Sequence, residues 1–238
     1  MPIWRTAHHR LVVDRLVTEA PGVVSVHLTG RRLDRLPVRA GQFFIFRFLD
    51  GPGWTRGNPY SLSAAPDGRS LRITVKDLGD GSRRLVNLRP GRRALIEGPY
   101  GRLTSDVRTC GKMAVLTAGI GITPWLALLH EHHEPGAVLV HRTSRPDDPL
   151  FAAELEALQA QGVRVLRLAG SRAVGRESWL PDRAADRSDH QALLHLIPDL
   201  LERDLYVCGS TAWAEAAARA AVAAGLPAQQ LHLERFGW

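Results

Sequence analysis

Cysteine is scarce: two residues, Cys110 and Cys208, occur in 238. They stand far apart and form no C-x-x-C, so the four thiolates of a [2Fe–2S] cluster or a cysteine-based zinc site are absent. They allow one disulfide at most, and nothing else resembles a secreted disulfide scaffold. Lysine is almost missing too. Only Lys76 and Lys112 occur, and arginine supplies the rest of a net charge of +7. In a chain so rich in arginine, no single arginine is strong evidence of a site. No recognition motif for nucleic acid accompanies the charge, which suits steering of an acidic redox partner or anionic lipid. Long apolar runs are lacking: the stretch Met113–Leu129 is broken by glycines and Pro124 and reads as strand, loop and helix rather than a membrane span. The opening MPIWRTAHHR has no signal-peptide pattern. Repeats and low-complexity linkers do not appear, and no metal site is expected. His130-Glu131-His132-His133 does not match H-E-x-x-H and fits a helix end before Pro135-Gly136, while Ser188-Asp189-His190 is mere adjacency and no triad.

Apolar residues make up 45% of the chain, enough for a packed core, and the patterning has two regimes. Over 10–105, apolar residues alternate. Val24, Val26 and Leu28 form one set, Phe44, Phe46 and Phe48 a second, and Leu71, Ile73 and Val75 a third. Turn signals such as Pro21-Gly22 and Pro66-Asp67-Gly68 separate them, which predicts an antiparallel barrel. A short helix is expected after a capping Ser82. Over 111–238, strand-like runs (113–118, 137–141, 163–168, 204–208, 230–235) alternate with helical ones (124–132, 149–160, 189–203, 211–224). This is the signature of a doubly wound parallel sheet. Asp189 and Ser210 or Thr211 are expected caps, and Gly225 a C-terminal glycine. The expected division is 1–107 and 108–238, with a long polar loop at 171–188.

Residues 115–129, VLTAGIGITPWLALL, carry the most functional information. A strand runs into Gly119 and Gly121, then a helix with Thr123 at its cap and Pro124 at its first position. Glycines admit close backbone approach, and a helix start attracts phosphate. Further segments flank it in order: NPYSLS (58–63), VKDLGDGS (75–82), EGPYG (97–101), VCGS (207–210) and the terminal ERFGW.

In this order the segments resemble the ferredoxin–NADP reductase superfamily, nearest to the FAD/NAD(P)H dehydrogenase domain of ferric reductases and NADPH oxidases. The likeness covers nearly the whole chain. It implies a six-stranded antiparallel FAD barrel followed by an NAD(P)-binding α/β domain. Tyr60 would lie on the flavin ring, with Ser61 hydrogen-bonded near N5. Pro59, Leu62, Val75 and Lys76 would line the site, and Gly81 and Ser82 would bind the pyrophosphate. Gly119, Ile120, Gly121, Ile122, Thr123 and Pro124 would hold the nicotinamide nucleotide. Cys208 and Gly209 would flank its reactive ring, and Trp238 would stack on the flavin until nicotinamide displaces it. Ser61, Cys208 and Trp238 are the implied catalytic set. The two rings would meet in the crevice at the carboxyl ends of the sheet strands.

One departure stands out. The family's R-x-Y-S has Asn58 in place of arginine, and Arg56 lies two residues further back. An amide reaches phosphate without adding charge. For the nucleotide, Arg142 after the second sheet strand and Ser171-Arg172 after the third resemble a 2′-phosphate clamp, favouring NADPH over NADH. The expected function is hydride transfer from NADPH to FAD, then single electrons to an external acceptor: a membrane haem domain, a ferredoxin or a ferric complex. The expected location is the cytoplasm or the cytoplasmic face of a membrane. The alternatives are a non-catalytic flavin or nicotinamide-nucleotide sensor and a basic nucleic-acid-binding protein.

Overall fold

Six antiparallel strands make the first half, in two three-stranded sheets of order β1-β2-β5 and β4-β3-β6. The strands are β1 (Val12–Ala20), β2 (Val23–Thr29), β3 (Phe43–Phe48), β4 (Asn58–Ser61), β5 (Ser70–Lys76) and β6 (Ala94–Tyr100). This is a computed structural model, and it describes residues 8–51, 54–132, 134–184 and 187–236. The sheet edges are stitched together. Leu62 bridges Ile73, and Val12 bridges Arg93. Ser63 N donates to Arg72 O at 2.8 Å, and Ala94 N donates to Leu11 O at 3.0 Å. These links close the six strands into the expected barrel, which satisfies the edge groups that open sheets expose. The alternating apolar residues point inward as their period requires: Val24, Val26, Leu28, Phe44, Phe46, Phe48, Leu71, Ile73 and Val75 share one core. Helix α1 (Asp80–Val86) follows β5. Its N-cap is Gly79 rather than Ser82. Ser82 Oγ instead accepts a hydrogen bond from Leu78 N at 2.7 Å and donates to Gly79 O at 3.0 Å, so the side chain fixes the turn entering the helix.

The second half is a five-stranded parallel sheet of order β11-β10-β7-β8-β9. Its strands are β7 (Lys112–Ala118), β8 (Val138–Thr143), β9 (Arg164–Ala169), β10 (Arg203–Ser210) and β11 (Leu231–Phe236). The helices are α2 (Thr123–His132), α3 (Ala152–Ala160), α4 (Asp189–Leu196) and α5 (Thr211–Ala223). Order 11-10-7-8-9 reverses at β7, the point where doubly wound sheets open a crevice for ligand. The chain divides into two compact units: Met1–Thr104 with Thr123–His132, and Ser105–Ile122 with His133–Trp238.

Three expectations about helices need correction. The run 189–203 is not one helix: α4 stops at Leu196, because Ile197 precedes Pro198 and takes extended backbone (φ −131°, ψ 80°). The run from 149 becomes helical only at Ala152, after Phe151 in the left-handed region (φ 55°). Asp189 does not cap α4. Its carboxylate accepts Ser178 Oγ at 2.6 Å, and Ser188 is the N-cap residue. Gly225 does follow α5 with φ 89°, and Leu226 N donates back to Ala221 O at 3.1 Å.

Candidate functional site

In the barrel unit, β4 pairs with β3 in the register Phe44↔Tyr60 and Phe43↔Ser61. Tyr60 is 8% exposed and joins the aromatic row of β3, with its ring centroid 6.4 Å from that of Phe46. Burial pushes its phenol up to about 12, so the hydroxyl stays protonated at any physiological pH. Ser61, Leu62 and Val75 are buried, whereas Arg56, Pro59 and Lys76 are exposed and Asn58 is half-buried. Arg47 was not singled out from sequence, yet its guanidinium lies against Gly57, where a Cβ would meet Cζ at 3.0 Å. It is engaged by Glu97 at 3.2 Å and donates to Thr55 O at 3.3 Å, so it braces the loop entering β4.

A second feature emerges only in three dimensions. Alternation puts Ser25, Arg72 and Thr74 opposite the core, where exposure is the ordinary outcome. Ser25 and Thr74 are nevertheless buried, with their hydroxyls 2.8 Å apart. Thr74 Oγ1 donates to Ser63 Oγ at 2.8 Å, and Arg72 Nε donates to the same oxygen at 3.1 Å. Arg72 also holds the Ser63 carbonyl. A chain of hydroxyls therefore ties β2 and β5 to the residue two beyond Ser61.

In the sheet unit, β7 ends in a 3-10 turn (Gly119–Ile122) that leads into Thr123 and Pro124 of α2. The two glycines differ. Gly119 has φ 52° and nothing within 4 Å of where a Cβ would stand, so its face is open to an approaching group. A Cβ on Gly121 would lie 2.5 Å from Cys208 O and 3.0 Å from Gly209 Cα. Gly209 in turn is closed by the Trp213 ring, 2.6 Å from its Cβ position. The AGIGITP and VCGS segments thus meet backbone to backbone at the carboxyl ends of β7 and β10. Cys208 is fully buried and forms no disulfide.

Across β10, Cys208 is in register with Glu234 of β11. Burial raises the Glu234 carboxyl to about 6. On the other side of β7, Arg142 donates to Ser171 O at 2.9 Å, which brings the ends of β8 and β9 together. Burial lowers the Arg142 pKa, assisted by the charge of Arg172. Ser171 and Arg172 are exposed, and Arg172 forms a bridge with Pro181. Trp238 lies outside the described residues.

No protein-family model matches the chain. Among curated proteins it is 31% identical to the glycine betaine monooxygenase reductase subunit of Chromohalobacter salexigens, over 98% of this chain and 66% of that one. It is 28% identical to a stachydrine N-demethylase reductase subunit of Rhizobium meliloti, over 99% and 68%. The chain therefore spans about two thirds of those relatives. Among solved structures, a ferredoxin NADP+ reductase from Neisseria gonorrhoeae with bound FAD and NADP superposes with a TM-score of 0.77 at 19% identity, covering 96% of this chain and 98% of that one.

The chain belongs to the ferredoxin–NADP reductase superfamily. Its two-part fold, an antiparallel barrel and a parallel sheet with helices, is that of the superfamily. Among the described residues no helix is long and apolar enough to cross a membrane.

Proposed function

We propose that the chain is an FAD-dependent NAD(P)H reductase that delivers electrons singly to an external acceptor. The observation carrying this reading is the backbone meeting of Gly121 with Cys208-Gly209, which leaves Gly119 open at the mouth of the sheet. Such a cradle fits a dinucleotide pyrophosphate, since backbone N–H groups approach oxygen without an intervening side chain. Gly79 offers similar open space before α1, at φ 145°, which fits the flavin pyrophosphate.

When bound, the flavin supplies the redox chemistry, accepting hydride from reduced nicotinamide and releasing electrons one by one. The chain's own residues hold and orient. In this reading the barrel domain is 1–107 and the nucleotide domain 108–238. Tyr60 and Leu62 wall the ring, with Pro59, Val75 and Lys76 alongside, and Ser61 offers its hydroxyl to the reactive edge. Gly81 and Ser82 contribute backbone N–H groups, because the Ser82 hydroxyl is already committed to Leu78 and Gly79. Arg56 contributes the charge that Asn58 lacks. On the nucleotide, Gly119–Thr123 with Pro124 carry the diphosphate, Cys208 and Gly209 flank nicotinamide, and Trp238 covers the flavin in its absence. Arg142 positions Ser171 and Arg172 for the 2′-phosphate, a dianion suited to a hydroxyl and a guanidinium.

These 238 residues, with two separated cysteines, hold no four-thiolate cluster, so the electrons pass on to a centre that these residues do not supply. The relatives' names, both reductase subunits of oxygenase or demethylase systems, favour an oxygenase or its ferredoxin over a membrane haem domain or a ferric complex. The test is an anaerobic titration of FAD-loaded protein with NADPH and NADH in turn. Rapid bleaching of the flavin band by NADPH, slower by NADH, is expected. Bound flavin that neither nucleotide bleaches would overturn the reading in favour of a sensor.

A further inference from the structure

Three arginines surround one cavity on the barrel wall, away from the flavin-side residues. Arg10, Arg31 and Arg93 line it with Val12, and its volume is about 580 Å³, within the range of small-ligand sites. The fold itself gathers them. Val12 is in register with Thr29 and bridges Arg93, and Arg31 N donates to His9 O at 2.6 Å. Segments 8–10, 31–35 and 92–93 therefore converge, bringing Arg32, Arg35 and Arg92 with them; Asp34 is the one acid within these segments, and Asp14 follows Val13, whose amide donates to Arg92 O. Among the described residues no ion pair within 4 Å engages Arg10, Arg31 or Arg93. The field is felt nearby: the His8 imidazole is held below its ordinary value by desolvation, then by the positive charges of His9, Arg32 and Arg35.

The backbone gives an independent observation. Three non-glycine residues have positive φ among the described residues, and two are Arg10 (44°) and Arg32 (53°). Glycine or asparagine adopts that region with less strain. An arginine kept there at a conformational cost supplies something other than the turn, and what it supplies here is charge.

We propose that this cavity is a binding site for a diphosphate-bearing anion, distinct from the cofactor sites. Three guanidinium forks offer more donors than one carboxylate can accept, and a diphosphate presents oxygens enough for all of them. Six residue steps along β5 separate Ser70, in register with Thr29 and the cavity, from Lys76. That is roughly 20 Å of strand, so the site can be altered without touching the flavin side.

The test uses the full chain loaded with FAD and saturated with NADP+. Titration calorimetry with sodium pyrophosphate and sedimentation with phosphatidylglycerol vesicles separate a free diphosphate from a lipid headgroup. Single-site pyrophosphate binding that weakens roughly tenfold or more in R31Q/R93Q is expected. R10N, which also relieves the left-handed strain, should weaken binding while melting no lower than wild type. Binding and loss confined to the vesicle arm would overturn the diphosphate assignment in favour of a lipid phosphate. Absence of binding by both probes, or equal binding by wild type and both variants, overturns the proposal.

Discussion

The Cβ that Gly121 lacks would stand 2.5 Å from the carbonyl oxygen of Cys208. Two segments 87 positions apart in sequence are thus in contact through their main chains, and only glycine permits it. Gly121→Ala must displace β10 or the 3-10 turn, a strain of about 2–3 kcal/mol. Chemical denaturation should show that loss, together with weaker nucleotide binding. Gly119→Ala meets open space and bears only the left-handed penalty of about 1 kcal/mol, yet it intrudes where the nucleotide approaches. NADPH affinity should therefore fall in Gly119→Ala with little change in stability. Equal destabilisation by the two substitutions would contradict this division of labour.

Much of this was legible in the chain itself. Period-two alternation placed Phe44, Phe46 and Phe48 inside the barrel, and the βα rhythm placed β7 to β11. What periodicity cannot report is who sits across the sheet. Ser25, Ser63 and Thr74 look like solvent-face residues because each alternates with core residues, and only their mutual pairing accounts for their burial. The end of α4 was readable from Pro198, but the leucines beyond it continue a helical pattern that steric restriction before proline overrides. Asp189 looks like a cap because of its position, while Ser178, eleven residues earlier, competes for its carboxylate. Arg10 and Arg93 are far apart in sequence, and no linear pattern signals that they share a cavity.

The buried hydroxyl chain gives a second prediction. Thr74→Val removes the hydroxyl that links Ser25 with Ser63 and leaves both without that partner. An unsatisfied buried group costs about 1–3 kcal/mol, so a stability loss in that range is expected. A double-mutant cycle with Ser63→Ala should show coupling of at least about 0.5 kcal/mol. Strictly additive losses would mean the hydroxyls do not act as one chain.

The nucleotide preference is tested at Ser171 and Arg172. Removing both in Ser171→Ala/Arg172→Ala deletes a hydroxyl and a guanidinium suited to a phosphate dianion. KM for NADPH should rise about tenfold or more, with KM for NADH nearly unchanged. Both residues are exposed, so folding should be unaffected, and a melting curve checks this. Equal effects on the two nucleotides would remove the 2′-phosphate from this position.

Glu234 supplies the pH dependence. Its carboxyl is raised by burial from 4.5 to about 6, so the folded protein retains this proton to higher pH than the unfolded chain does. The stabilisation from holding the proton is complete below the ordinary carboxyl value and is lost as pH rises through about 6. Glu234→Gln carries no such titration. The variant should gain stability relative to wild type as pH increases across that interval, and the gap should then stay constant toward pH ~8. Urea melts of both proteins across this range measure the difference directly. A constant gap at every pH would mean that the folded and unfolded chains hold this proton alike, and the carboxylate beside Cys208 would then be solvated rather than buried.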